Sequence, residues 1–323
     1  MNILFMNSLS VKGRCGQHDH WCQCPSGSLL QGTCGQHARV EHAELRPVNV
    51  SWRKDAIIPC YQMAVYPSSD VVSSSLAFWG AWDIKHPTTM ELKAGVPAGT
   101  IPPPPGLFVD MGANIGHHSL VFAKAGYSVL AFEPLRLNRI AFRTSLCANT
   151  DVRKRVMLVA TALGSQTTRG PCVTFAYQKN RGNGELACGE EATCAQKCVA
   201  PACTHCENVN ITTLDAALDS ALAEGSAPSS SRRRKHNVVE APVVAAKLDA
   251  EGAECDILEG GHSLLAVYRP ALVQVEVAGG GRMSNRMHCV KQAAARHGYV
   301  VNYRRGEDDA YMVRRDRLKR AGE

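Results

Sequence analysis

The stretch Phe108-Val-Asp-Met-Gly-Ala-Asn-Ile-Gly116 limits what this chain can fold into more than any other segment. Leu107–Met111 is a short apolar run carrying one acid, Asp110, and it suits a parallel strand buried on both faces. Gly112, Asn114 and Gly116 then form a turn, after which His117–Ala125 carries apolar residues at helical spacing. Glycines let the backbone approach a ligand closely, and the helix that follows presents unpaired N–H groups and its positive dipole end. Strand, glycine turn and helix in that order are the context in which such a motif holds a nucleotide-like ligand.

The same alternation continues downstream. Ser128–Phe132 and Val156–Ala160 read as strands, with a helix over Arg136–Asn149 between them. Val243–Leu248 and Leu272–Val277 are two further β-branched runs, separated by a helical stretch over Glu254–Ala266. Asn285–His297 reads as a helix, and Tyr299–Tyr303 with Ala310–Arg314 as a hairpin around the Arg304–Asp309 turn. Strands alternating with helices predict an α/β fold, a mostly parallel sheet with helices on both faces and an antiparallel edge. The proline-rich Val96–Gly106 cannot be a helix interior or a central strand and marks a boundary. The expected organisation is an irregular Cys/His/Gly-rich extension over 1–45, a cap or lead-in over 46–105, and the α/β domain over 106–323. Insertions near 170–206 and 224–237 interrupt that domain.

Two further motifs place chemistry at strand ends. Glu133, closing Ala131-Phe-Glu-Pro some 17 residues after Gly116, can accept hydrogen bonds from two ribose hydroxyls. The alternative is a carboxylate favoured by the start of the next helix. Asp249, Glu251 and Glu254 follow Lys247 in Ala246-Lys-Leu-Asp-Ala-Glu-Gly-Ala-Glu254. Carboxylates crowded outside the carboxyl end of a strand raise one another's pKa, which suits Asp249 or Glu251 to serve as a base. Glu276 closes the next strand and points to the same crevice. An adenosine ligand fits this layout, which by itself does not separate S-adenosylmethionine from NAD. The order Gly-x-Asn-x-Gly, with an acid two residues ahead, leans towards the former.

FVDMGANIGHHSL, VLAFEPLRLN, ATALGS, ITTLDAAL, AAKLDAEGAECDILEGG and PALVQVEV occur here in the order found in the FkbM-type methyltransferases, which this chain resembles from about Phe108 to Glu276. Val65-Tyr-Pro-Ser-Ser-Asp70-Val-Val-Ser73 and Gly80-Ala-Trp82 also look like the lead-in of eukaryotic relatives. The resemblance implies a Rossmann-like class I methyltransferase fold, with a seven-stranded sheet of six parallel strands and one antiparallel. It implies S-adenosyl-L-methionine as cofactor. Asp110, Gly112, Asn114 and Gly116 would hold its methionine and ribose part, Glu133 the ribose hydroxyls with Asn138 nearby, and Ala162 and Leu163 the adenine. The family's Asn-Gly step corresponds to Asn183-Gly184. Asp249 and Glu251 would face the reacting methyl group. The implied activity is O-methylation of a sugar or other small hydroxylated acceptor.

Two other classes stand beside this one. A NAD(P)-dependent oxidoreductase shares the architecture, but the Gly-x-Gly-x-x-Gly order is absent. A catalytically inactive binding protein with the same fold would be expected to have lost Asp110, Glu133 or Asp249. The net charge of +7 is concentrated in Arg232–Lys235 and the last ten residues, without interleaved aromatics, and reads as solvated surface. With no Asn-Pro-Pro-Tyr-like element to hold a flipped base, no nucleic-acid partner is expected. No run nears the roughly 18 apolar residues that span a bilayer.

Of 14 cysteines, four lie in Cys15–Cys34 and six in Cys172–Cys206. The second cluster has one Cys203-x-x-Cys206 step without the second knuckle usual for zinc, so no metal site is assigned. Its even number allows three disulfides in an oxidising compartment, and free thiols in a cytosolic loop are the alternative. Cys22 and Cys24 with His18 and His20 form a second patch. Asn49-Val-Ser51 and Asn210-Ile-Thr212 are glycosylation sequons. No targeting segment is read, leaving a cytoplasmic default against a secretory alternative drawn from the cysteines and sequons.

Overall fold

The structure, a computed structural model, describes residues 46–50, 61–66, 70–166, 170–177, 180–226, 241–278 and 283–318. The 1–45 extension with its Cys/His patch, Ser51 of the first sequon, Arg232–Lys235 and most of the 224–237 linker lie outside these residues.

Ahead of the glycine turn, β1 (Arg46–Val50) and β2 (Tyr61–Val65) pair antiparallel. They are followed by α1 (Val71–Trp79) and α2 (Pro87–Ala94). Asp70 starts α1 by accepting the Ser73 N–H at 2.6 Å, the bond that makes Asp a favoured N-cap. The proline-rich connector contains neither helix nor strand.

The main sheet begins with β3 (Leu107–Met111), α3 (His117–Lys124), β4 (Ser128–Phe132), α4 (Arg136–Ala148), β5 (Val156–Val159) and the short β6 (Ala162–Gly164). The chain then leaves it for β7 (Cys172–Tyr177), β8 (Asn180–Cys188), α5 (Cys194–Lys197) and β9 (Cys203–Asn208). It returns through β10 (Ile211–Thr213), α6 (Leu214–Ser226), β11 (Val243–Leu248), α7 (Glu254–Glu259) and β12 (Leu272–Glu276). The last elements are α8 (Met283–His297), β13 (Tyr299–Tyr303), β14 (Asp309–Arg314) and α9 (Arg315–Leu318).

Seven strands run in the order β13-β14-β12-β11-β3-β4-β5, with β14 antiparallel to both neighbours and the others parallel. Strand order reverses between β3 and β11, and an open α/β sheet places its ligand crevice at such a point. Side chains alternate across the sheet. Phe108, Val129, Ala245 and Leu272 pack on one face with Phe122 of α3 and with Tyr61, Met63, Leu76 and Met90 of the lead-in. Val109, Leu130, Ala246 and Val273 pack on the other with Leu218, Leu264 and Val290. Both faces are covered, which is why these strands read as mostly apolar runs. Phe122 is fully buried, and truncating it to alanine costs about 3–5 kcal/mol.

One sequence expectation changes. The helical stretch expected over Glu254–Ala266 is not continuous: α7 ends at Glu259. There the Gly260 carbonyl accepts the Asp215 N–H at 3.0 Å, diverting the backbone, before a wide helical turn at Leu264–Tyr268. The cysteine-rich insertion, whose internal structure the sequence left unassigned, is a separate antiparallel sheet, β8-β7-β9. Three disulfides hold it, Cys172–Cys188, Cys194–Cys206 and Cys198–Cys203. Of the readings the sequence left open for these cysteines, the paired one is what the structure contains. Among the described residues no helix is long and apolar enough to cross a membrane.

Candidate active site

The glycine turn brings the ends of β3, β4 and β11 together. Gly112 has φ of +81°, and a Cβ there would fall 1.8 Å from the Asp249 carbonyl oxygen, so only glycine passes so close over the end of β11. The N–H groups of Gly112 and Ala113 both donate to the Phe132 carbonyl, at 3.0 and 2.9 Å. The Asp249 N–H donates to the Met111 carbonyl at 3.0 Å. A cleft open to solvent lies over this junction.

Of the residues singled out in the sequence, Gly112, Asn114, Glu133, Asn138, Ala162, Leu163, Asp249 and Glu251 all line this cleft, as do Asn183 and Gly184. Asp110 and Gly116 do not. Gly116 lies off the cleft, packed against Phe142. Asp110 is fully buried one layer below. One of its oxygens accepts the Ser119 hydroxyl at 2.6 Å, and the other, Oδ1, has no hydrogen-bond partner. Its register partner on β11 is Lys247. The Lys247 ammonium donates to the Gly112 carbonyl at 3.3 Å and pairs with Asp249 at 3.0 Å. Burial opposes that charge, but Asp249 and Asp110 outweigh it and hold the lysine above its ordinary pKa. Asp110 therefore supports the cleft floor electrostatically instead of facing into it.

Glu133 sits on the cleft wall and holds the start of the next helix, the second of the two roles considered for it. Its Oε1 accepts the N–H of Leu135, the residue before α4, at 2.8 Å, and its Oε2 accepts the Asn114 N–H at 2.7 Å. Burial pushes its pKa up to about 7 against those stabilising N–H groups. Asn138 is committed within the protein. Its Oδ1 accepts the Tyr66 hydroxyl at 2.8 Å and its Nδ2 donates to the Gly182 carbonyl at 2.9 Å.

That second bond holds the cleft's roof, which is β8 of the stapled sheet. Gly182 also donates its N–H to the Asp70 carboxylate at 2.9 Å, and a Cβ there would fall 2.4 Å from that carboxylate. Gly182, Leu186 and Thr161 line the cleft without having been singled out in the sequence. The Gly-Asn-Gly spacing at 182–184 was the available signal for Gly182.

At the mouth, oxygens of Asp249, Glu251 and Glu276 lie within 4.8 Å of one another. Glu251 adopts φ of +52°, unusual for a residue with a side chain and a strain that tends to mark functional sites. Partial burial and the neighbouring Asp249 and Glu254 carboxylates push its pKa up to about 7. Burial, then Asp249, Glu251 and Glu254, pushes Glu276 up to about 9. Glu254 organises the loop by accepting the N–H groups of Ala250 and Gly252 at 2.9 and 3.0 Å. Arg286 of α8 then bridges Glu254 at 3.2 Å and Glu276 at 3.4 Å. The Cys255–Cys289 disulfide ties α8 to α7 beside it. With Lys247 on Asp249 and Arg286 on Glu276, the cluster carries its own counter-charges. A polar network adjoins it: Gln274 donates to Asp83 at 3.0 Å and to Asp309 at 2.9 Å, and His118 contacts Asp83 at 3.2 Å. Nothing in the sequence pattern links these four residues.

A seven-stranded sheet of this order, with its glycine turn and acidic crevice at the strand ends, defines a class I methyltransferase fold. The sequence matches the model of the methyltransferase FkbM domain over residues 110–301, more than half of the chain. The protein belongs to the FkbM methyltransferase family, whose chemistry is S-adenosylmethionine-dependent methyl transfer. No protein of curated function matches the sequence. Among solved structures, an FkbM methyltransferase from Methylobacillus flagellatus KT is similar at 14% identity and a TM-score of 0.41. The alignment covers 65% of this chain but 43% of that one, under half its length. A precorrin-6y C5,15-methyltransferase from Geobacter metallireducens GS-15 is similar at 11% identity and a TM-score of 0.34, covering 72% of this chain and 87% of that one. The glycopeptide N-methyltransferase MtfA, complexed with sinefungin, is similar at 12% identity and a TM-score of 0.26, with coverage of 79% and 76%. These structural likenesses are loose, and membership rests on the sequence model.

Proposed function

We propose that the protein transfers a methyl group from S-adenosylmethionine to a hydroxyl of a small acceptor, a sugar or glycan being the favoured class. The observation that carries this reading is the junction of the cleft with the Asp249–Glu251–Glu276 cluster at the β11 and β12 ends. The cleft fits the cofactor in its polar groups: it has a buried carboxylate, Glu133, for ribose hydroxyls and, among the described residues, an unpartnered Asn183 Oδ1 in its roof. When bound, S-adenosylmethionine supplies a methyl group already activated on a sulfonium.

The protein's own work is alignment and proton removal. Glu133 accepts the ribose hydroxyls, while Ala162 and Leu163 flank the adenine. The backbone at Gly112 and Asn114 lies against the methionine part, with the Asp110–Lys247 pair fixing the floor below. Glu251, with a pKa near 7, takes the acceptor's proton as methyl transfer proceeds, and Asp249 orients the hydroxyl. A pKa near ambient pH balances the ionised fraction of a base against its strength.

Calorimetric titration of the full chain with S-adenosylmethionine, with NAD and NADP in parallel, tests the cofactor. Binding of S-adenosylmethionine that weakens in Glu133→Gln is expected. A folded sample that binds only a nicotinamide cofactor would discard the reading. Labelled methyl transfer to free sugars, glycans and phenols then tests the acceptor class. Transfer to phenols alone would remove the sugar assignment.

A further inference from the structure

Two features have no part in the cleft chemistry and point to one cause. The first is the set of four disulfides among the described residues, which pairs eight cysteines. Structural disulfides persist in oxidising compartments and are rare where cellular thiols keep cysteines reduced. The second is Asn210-Ile-Thr212, an acceptor sequence for N-linked oligosaccharide.

The local structure favours use of that sequence. Asn210 lies in the turn between β9 and β10 and is exposed. Only its backbone carbonyl is engaged, accepting the Ala162 N–H and the Thr161 hydroxyl, each at 3.1 Å. Among the described residues its side-chain amide makes no hydrogen bond. Ile211 is buried and pairs with Ala162 of β6. In extended backbone, residues two apart share a side, so Asn210 and Thr212 lie together opposite the buried Ile211. Asn210 does not line the cleft, and a glycan there leaves it open.

We propose that Asn210 is N-glycosylated and that the chain matures in an oxidising lumen. In the transfer, Nδ2 of Asn210 displaces the diphosphate from the anomeric carbon of an oligosaccharide carried on a polyisoprenyl diphosphate. A C–N bond forms, the C–O bond to the diphosphate breaks, the amide loses one proton and the lipid diphosphate departs. No electrons change hands. This inference does not depend on the methyl-transfer reading.

The full chain, tagged and produced in its source organism, is purified without reductant and treated with peptide-N-glycosidase F. Thiol alkylation before and after reduction is mapped in parallel. In an Asn49→Gln background, which removes the other sequon, the parent chain and Thr212→Ser gain electrophoretic mobility on treatment, while Asn210→Gln and Thr212→Ala do not. The paired cysteines alkylate only after reduction. An unmodified Asn210 in a chain with oxidised cysteines overturns the glycan, as does a shift that survives Asn210→Gln. Free thiols at the paired positions overturn the lumen. Unchanged binding of S-adenosylmethionine by Asn210→Gln separates this test from that of the cleft.

Discussion

The floor and the roof of the cleft are built by different physics. The floor is the end of the parallel sheet, where β3, β4 and β11 are locked by backbone hydrogen bonds and backed by two large apolar clusters. The roof is β8 of a small sheet whose buried apolar residues, among those described, are Cys172, Val173, Phe175, Ala176, Ala192 and Cys203. So little apolar burial cannot offset the conformational entropy of some 37 residues, at about 1–2 kcal/mol each for the backbone alone. Three covalent cross-links supply what packing does not, as in other small units with thin cores. A stiff half thus meets one whose order depends on its bonds.

The largest expected effect falls on the floor. Glu251→Gln lowers kcat by about 10²–10⁴-fold, with cofactor affinity near the native value, read by initial rates and calorimetry. A near-native rate would move the base role to Asp249. The two close-packed glycines come next. Gly112→Ala drives a Cβ into the Asp249 backbone and costs at least about 3 kcal/mol in denaturant unfolding. Gly182→Ala meets the ends of two side chains, Asp70 and Asn114, and no backbone, and costs about 1 kcal/mol. Equal losses would say that the roof is as rigid as the floor.

Reduction follows. Each native cross-link contributes about 2–4 kcal/mol, so a reduced sample is cleaved by protease within residues 172–208 before the main sheet. Its cofactor affinity drops by about tenfold, ~1.4 kcal/mol. Unchanged affinity would make the roof dispensable. The smallest effect is a pH dependence of the floor itself. The ribose hydroxyls favour the ionised Glu133, whose pKa lies near 7 in the free protein. Affinity is therefore full above pH 7 and falls below it, by at most about tenfold per unit. Glu133→Gln binds more weakly and without that dependence, which titrations between pH 5 and 8 would reveal.

Legibility in the sequence divided along the same line. Strands β3, β4, β11 and β12 are buried on both faces, so apolar runs bounded by turn residues betrayed them directly. Gly112, Glu133, Asp249 and Glu251 follow such runs and were readable as strand-end residues. The small sheet has no such signature: Asn180–Cys188 and Cys203–Asn208 are polar and show no clean alternation. The cysteines signalled cross-linking, but their pairing depends on how β7, β8 and β9 align in space. Asp110 was read as a ligand contact because its motif adjoins the turn, whereas side-chain alternation sends it beneath the floor towards Lys247. Arg286 and the Asp83–Gln274–Asp309 network were out of reach, because Asp83 and Gln274 meet across 191 positions.

The pairing of β6 with β10 bears on how the molecule can be remodelled. Ile211 aligns with Ala162 and Thr213 with Gly164, in parallel, so the chain departs for the small sheet and comes back through a single doorway. Whatever is threaded between Gly164 and Ile211 leaves and rejoins the chain at one fixed frame, and here it also docks through Gly182 on Asp70 and Asn138. The segment can be lengthened, shortened or exchanged between relatives without re-registering the main sheet. Grafting a different 165–210 segment onto this doorway would change what closes over the cleft while leaving the machinery beneath it in place.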